Sequence, residues 1–357
     1  MDQQYIQRLD KIEAVMQRHL PGKVAKSWME LSFNNFRNAV PYHLTETLVQ
    51  PGWDLLNRGG KRWRPLLMTL VCEFLGGGDD AVPLTPLVEF PHNASLIHDD
   101  IEDSSDERRG KPAVHLIYGT DTAINAGCFL YFLPLRCIDN WDAPGERKYI
   151  LYQIWSEYLR RLHLGQAMDI AWHRDFHSLP SIDEYIQMCK LKTGVLARMA
   201  AVFGTSIACR RTAVSPETES EISQYLGEAV EKLGVGFQIL DDVKNLTTGN
   251  PGKKRGDDIV EGKKSLPVLL HLHRDDAAGR NEVFRCFNGA REKGISAPEV
   301  EELIKMLEQS GSIAEAKQKG LALIAEGEKA LQAPSLEKYS RDGQAFKLLS
   351  GFVNLLR

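Results

Sequence analysis

The chain has 357 residues, 43% hydrophobic and 26% charged, the balance of a globular protein with a sizeable core. Its net charge is −4, with basic and acidic residues interspersed; this excludes the basic stripe that nucleic-acid binding requires and leaves any bound phosphate local and small. The opening run MDQQYIQRLDKIEAVM is charged throughout where a signal peptide needs an apolar core, and no stretch of about 18 apolar residues occurs. The expectation is a cytoplasmic protein with no integral membrane segment.

Apolar spacing is helical nearly everywhere and alternating β-branched runs are missing, so the fold class is all-α. Helices are expected at about 5–19 and 33–57. The basic segment GGKRWRP follows, and behind Pro65 the residues Leu66, Leu67, Leu70, Val71, Phe74 and Leu75 recur at helical spacing until Gly76, Gly77 and Gly78 stop the helix. Further helices are expected at about 84–103, 120–139, 146–173 and 182–209. Ile222, Leu226, Val230, Leu233, Phe237 and Leu240 then step by three or four residues through a long helix that TTGNPG ends. After a helix at about 265–273, the stretch at about 274–296 reads as a loop-rich excursion, and helices resume at about 297–331. With no linker or repeat visible, the whole of 1–357 reads as one domain, with a motif-bearing core at about 30–273 and C-terminal helices at about 297–357. The six cysteines have no CxxC spacing and read as reduced core thiols.

Two acidic clusters stand out. Asp99, Asp100, Glu102 and Asp103 lie in LIHDDIED, and on a helix Asp99 and Asp103 share one face a turn apart. Like charges so placed cost about 0.2 to 0.5 kcal/mol without a cation. Asp241, Asp242 and Asn245 in FQILDDVKNL repeat the geometry near a helix C-terminus, where the macrodipole disfavours anions by about 0.3 to 1 kcal/mol. Local stability therefore argues against both clusters, and a hard divalent cation such as magnesium accounts for them. The bland alternative is a solvated helix end.

Each cluster has basic company. Lys61, Arg62 and Arg64 open a helix behind two glycines; Arg108, Arg109 and Lys111 follow the first cluster; Lys253, Lys254, Arg255, Lys263 and Lys264 follow the second. Of these, Lys254, Arg255 and Lys264 read as surface charges. Lys61, Arg64, Arg108 and Arg109 do not, and with the carboxylates they imply a ligand with more phosphate charge than one pocket holds, as two diphosphates would carry.

The ordered set GGKRWRP, HNASLIHDDIED, RRGKP, GQAMD, KTG, FQILDDVKN and GKKRGDDIVEGKKSLP resembles the trans-prenyl diphosphate synthases, and most of all the geranylgeranyl diphosphate synthases. That resemblance implies a helical barrel around a deep cavity, a homodimer, and three magnesium ions, with manganese as an alternative, held by Asp99, Asp103 and Asp241 and supported by Asp100, Asp242 and Asn245. It implies that Arg108, Lys192, Lys253 and Lys263 hold an allylic diphosphate, that Thr193 and Gln238 line its reactive end, and that Lys61, Arg64, His92 and Arg109 hold isopentenyl diphosphate. The implied reaction is ionisation of the allylic substrate, condensation and proton loss. Chain length is implied to depend on Ala94 and Ser95, which are small and leave no aromatic plug, and on a deeper floor from Phe129 and Phe132. Geranylgeranyl diphosphate is the expected product; longer polyprenyl diphosphates or farnesyl diphosphate are alternatives, then a class I terpene cyclase or a non-catalytic subunit. Two departures from the pattern are Asn245 in place of an aspartate and Pro91 within the helix leading to Asp99, where a bend is expected.

Overall fold

A computed structural model describes residues 3–33, 40–175, 177–212, 214–249 and 254–355. The described residues are helical apart from one two-residue hairpin. In chain order the helices are α1 (Gln3–His19), α2 (Lys26–Phe33), α3 (Tyr42–Asn57), α4 (Trp63–Phe74), α5 (Pro86–Glu102), α6 (Val114–Tyr118), α7 (Thr120–Phe132), α8 (Leu135–Asp139), α9 (Gly145–Arg174), α10 (Ile182–Cys189), α11 (Val195–Ala208), α12 (Pro216–Thr247), α13 (Asp257–Glu261), α14 (Leu266–Leu272), α15 (Ala277–Lys293), α16 (Pro298–Gln309), α17 (Ser312–Leu331), α18 (Pro334–Glu337) and α19 (Gly343–Gly351). Strands β1 (Glu107–Arg108) and β2 (Lys111–Pro112) pair antiparallel. None of these helices is long and apolar enough to cross a membrane.

The chain divides into two compact units. The first comprises Met1–Tyr158, Leu196–Gly227 and Leu331–Arg357, and the second Leu159–Val195 and Glu228–Ala330. In the first, α4 is buried from Arg64 to Phe74 without a break, as a helix apolar on all sides must be. It packs against α1, α5 and α19. Pro91 sits inside α5 without ending it.

The core of the second unit gathers Tyr185 and Cys189 of α10, Val235, Ile239 and Val243 of α12, and Leu266 and Leu269 of α14 with residues of α15 to α17. Helix α15 corrects the expectation of a loop there. Gly279 and Gly289 dilute its pattern, but Asp276 caps it by accepting from the Gly279 N–H, and Val283, Phe284, Phe287 and Ala290 form a buried stripe. The expected helix at about 182–209 is interrupted by a π turn, Lys190–Gly194, a form that recurs at functional sites. Its seat is tight: a Cβ on Gly165 of α9 would lie 2.5 Å from the Lys192 nitrogen. The glycine of GQAMD therefore lets a helix backbone touch the π turn.

Candidate active site

The first acidic cluster ends α5. Asp103 is its C-cap, and its N–H donates to the Asp99 carbonyl at 2.8 Å, so the one-turn spacing of the two carboxylates survives. Asp99 is partly accessible, whereas Asp100 is fully buried. Arg108 donates to Asp100 Oδ1 through Nε at 2.8 Å and Nη2 at 2.5 Å, and its Nη2 lies 3.7 Å from Asp99. The guanidinium is correspondingly raised; burial opposes, and Asp100 more than compensates.

Arg108 and Arg109 sit on the hairpin, whose turn residues Arg109 and Gly110 have φ of 54° and 74°. Positive φ at both central residues is the signature of a tight two-residue turn. Glycine accepts that conformation freely and arginine does not. Arg58 anchors the hairpin: its buried side chain donates to the carbonyls of Arg108 and Pro112, both at 2.9 Å, and pairs with Asp54 at 2.6 Å.

Behind the hairpin, Arg62, Arg64, Arg108 and Arg109 gather around His92. Lys61 is exposed, while Arg64 is buried with its guanidinium 4.3 Å from the Trp63 ring centroid. His92 is held well below its ordinary value, first by burial and then by Arg64, Arg109, Arg108 and Arg62. Its imidazole is neutral at physiological pH. Arg62 and Arg109 differ sharply. Arg62, with φ of 46°, spends its guanidinium on Glu89 at 2.9 Å, Glu13 at 3.1 Å and the carbonyls of Leu56 and Gly59. Arg109 donates only to neutral oxygens, the Leu55 carbonyl at 3.0 Å and Asn93 Oδ1 at 3.2 Å. Among the described residues no carboxylate pairs with it, and burial lowers it to about 10. The nearby charge of Glu89 pulls it back up without bonding to it, so donors of a half-buried cation remain for an anionic ligand.

The second cluster lies on α12. Asp241 is exposed and Asp242 buried. Tyr185 donates to Asp242 Oδ2 at 2.6 Å, Gln238 Nε2 to Oδ1 at 2.9 Å, and Thr193 Oγ1 to Gln238 Oε1 at 2.8 Å. The chain of bonds fixes which way the Gln238 amide points. With neutral donors only, burial pushes Asp242 up to about 6, although Tyr185, Gln238 and the charge of Lys263 pull it down. Lys192 pairs with Asp169 at 2.5 Å and Lys263 with Glu261 at 2.6 Å. Lys253 lies outside the described residues.

Asn245 lies four residues after Asp241 on α12. It is fully buried, its Oδ1 accepts from the Asp258 N–H at 3.3 Å, and its Nδ2 has no hydrogen-bond partner among the described residues; its visible work is to hold the start of α13. Two supposed surface charges are structural as well. Lys264 is buried, with Nζ 3.3 Å from the Trp172 carbonyl, 3.4 Å from that of Gly262 and 4.8 Å from the Phe287 ring centroid. Arg255 stays partly exposed and pairs with Glu301 at the surface, while its Nε donates to the Leu246 carbonyl near the end of α12 at 3.1 Å. Both satisfy carbonyls that helix ends leave open.

Of the chain-length candidates, Ala94 is fully buried and Ser95 half-buried, its hydroxyl donating to the His92 carbonyl at 2.9 Å. Phe129 stacks on Phe33 at 5.6 Å. Phe132 is 67% exposed and faces outward, so the two rings do not build one floor. Cys128 likewise corrects the reading of six core thiols: it is exposed, and the other five are buried.

Among the described residues no three His, Cys, Asp or Glu side chains converge as a ready-made metal cage. Magnesium does not need one, since it commonly takes one or two carboxylates and completes its octahedron with water and phosphate oxygens. The accessible, hard-oxygen Asp99 and Asp241 suit that role, and the buried Asp100 and Asp242 are already engaged with protein donors.

The polyprenyl synthetase family matches residues 45–307. The chain is 31% identical over 300 residues to a geranylgeranyl diphosphate synthase of Methanosarcina mazei, covering 82% of this chain and 85% of the other. It is 36% identical over 238 residues to a geranylfarnesyl diphosphate synthase of Aeropyrum pernix, covering 64% of this chain and 70% of the other. The crystal structure of geranylgeranyl pyrophosphate synthetase from Pyrococcus horikoshii superposes with a TM-score of 0.75 at 27% identity, covering 98% of this chain and 99% of that one. An all-helical fold shared over nearly its whole length, and motifs matched through the region that holds both acidic clusters, leave one assignment: the chain belongs to the polyprenyl synthetase family and is a prenyltransferase.

Proposed function

We propose that the chain, working as a single catalytic domain, condenses isopentenyl diphosphate with dimethylallyl, geranyl or farnesyl diphosphate to give all-trans geranylgeranyl diphosphate. The observation that carries this reading is Arg109, a half-buried guanidinium that donates only to neutral oxygens among the described residues, close to Arg64 and the neutral His92. That group suits a diphosphate other than the one the acidic clusters serve. A terpene cyclase has no second diphosphate to hold.

Asp99, Asp103 and Asp241 are assigned to magnesium, three ions in all, with Asp100, Asp242 and Asn245 in support. Magnesium, when bound, supplies the positive charge that makes diphosphate a good leaving group. Arg108, Lys192, Lys253 and Lys263 are assigned to the same allylic diphosphate, each cation adding to stabilisation of the departing charge. Thr193 and Gln238 offer oxygen dipoles to the cationic carbon that remains. Isopentenyl diphosphate, clamped separately, presents its double bond to that carbon; a carbon–carbon bond forms and a proton leaves, with the released diphosphate as its acceptor. Holding both substrates removes much of the entropic cost of their encounter.

The buried, small Ala94 supports growth past fifteen carbons. A longer product is the second reading, favoured by the outward-facing Phe132. A homodimer belongs to the same proposal, supported by the stripe Ile124, Cys128 and Phe132, spaced by four and exposed along α7, with exposed Leu116 and Ile117 on α6. A cytoplasmic location is supported by six unpaired thiols. The test is incubation with magnesium, isopentenyl diphosphate and each allylic primer, products being sized by mass spectrometry. A ladder of five-carbon additions ending at twenty carbons is expected; hydrocarbon or alcohol release without extension overturns the reading.

A further inference from the structure

Glu89 of α5 is 3% exposed, and its carboxylate sits beside Arg62. One turn later, the buried Asn93 stands between that carboxylate and Arg109. Its Nδ2 donates to Glu89 Oε1 at 3.0 Å and to the Glu89 carbonyl at 2.8 Å, which turns Oδ1 toward Arg109 Nη1 at 3.2 Å. The two donations fix the amide's orientation. Gly60 closes the group: a Cβ on it would lie 3.1 Å from Arg62 Nη1 and 3.3 Å from Arg109 Nη2. Two arginines with positive φ thus flank one glycine, and the one buried carboxylate bonds directly only to the first of them.

The arrangement separates two jobs. Arg62 is neutralised and pins the loop. Arg109 is anchored through Nη1 by oxygens that carry no charge, and its Nε and Nη2 have no hydrogen bond to the described residues. A carboxylate in place of the Asn93 amide would anchor Arg109 equally well and cancel the charge that a ligand needs.

We propose that Asn93 is a positioning residue for isopentenyl diphosphate, a neutral spacer that aims Arg109 while keeping it out of a direct ion pair with Glu89. The proposal rests on the assignment of Arg109 to isopentenyl diphosphate made above. Asn93 touches Arg109, and its influence on the substrate is exerted through that side chain.

The test is calorimetric titration of the purified full chain with isopentenyl diphosphate alone and, separately, with geranyl diphosphate and magnesium. Asn93→Asp is expected to weaken isopentenyl diphosphate by about thirtyfold or more, and Asn93→Ala, which removes one anchor and adds no charge, by about threefold. Binding of geranyl diphosphate should be unchanged in both. In an Arg109→Ala background, Asn93→Asp should have no further effect, since the residues act as one unit. Wild-type affinity for isopentenyl diphosphate in Asn93→Asp overturns the proposal, as does equal weakening of both substrates with a lowered melting temperature, the mark of a merely structural residue. Should Asn93→Asp fail to fold, Asn93→Ala and Arg109→Ala with their double variant carry the same comparison, and additive losses overturn the proposal. Absence of isopentenyl diphosphate binding by the wild-type protein would instead remove the functional reading itself.

Discussion

The two acidic clusters share a pattern and differ in how they are balanced. In each, the first aspartate, Asp99 or Asp241, reaches solvent, and the second, Asp100 or Asp242, is buried. Asp100 is answered by a full positive charge from Arg108, while Asp242 is answered by the hydroxyl of Tyr185 and the amide of Gln238. The first cluster therefore carries its counter-charge within the fold, and the second leaves part of its charge to be met by pH and bound cations. A repeated motif need not mean a repeated electrostatic environment.

The largest effect that can test the comparison is catalytic. Asp99→Ala and Asp241→Ala should each lower kcat by about a thousandfold with the melting temperature nearly unchanged, because both residues are accessible. Retained activity in a steady-state assay of either variant would break the assignment of both clusters to the metal. Next comes the buried pair, read from denaturant titrations at about pH 5, where Asp242 is mostly protonated: Asp100→Asn leaves Arg108 without its main partner and should cost about 3 kcal/mol of unfolding free energy, against about 1 kcal/mol for Asp242→Asn. Equal costs would erase the contrast.

The third prediction concerns pH in the metal-free protein. Asp242 is raised from an ordinary carboxylate value to about 6 in the folded state, so between about pH 4 and 6 the folded chain holds a proton that the unfolded chain has lost. Stability from this group is complete below about pH 4 and is lost as pH rises through about 6. Asp242→Asn should remove that slope, and Asp100→Asn should leave it in place. The smallest effect is that of Tyr185→Phe. Loss of the hydroxyl removes a bond that favours the charged carboxylate, so the slope should move to higher pH at a cost of about 1 kcal/mol. A shift to lower pH would contradict the neutral-donor account.

The helices were legible wherever a single apolar stripe ran along them, as in α4 and α12. The π turn at Lys190–Gly194 was not, since it depends on Gly165 meeting it from a distant helix, and α15 was obscured by two glycines within its stripe. At the site, Asp99 and Asp241 announced themselves because like charges a turn apart, and acids near a helix C-terminus, oppose local preference. Glu89, Asn93, Arg58 and Tyr185 did not, because a buried polar residue shows its purpose only through partners distant in sequence. Asp169 was visible as part of GQAMD, but its role as the partner of Lys192 required the fold. Lys264 shows the reverse error: a lysine in a charged run looks like surface and is instead a clasp on helix ends.

The placement of the thiols has a practical side. Burial raises Cys72, Cys137, Cys189, Cys209 and Cys286, and a thiol that does not ionise reacts slowly. Cys128 stands exposed in the middle of the apolar stripe on α7. A maleimide dye applied near neutral pH would therefore attach chiefly at one native position, with no engineering of the chain. Its rate of attachment, followed as the protein is diluted, would report whether that stripe faces water or another copy.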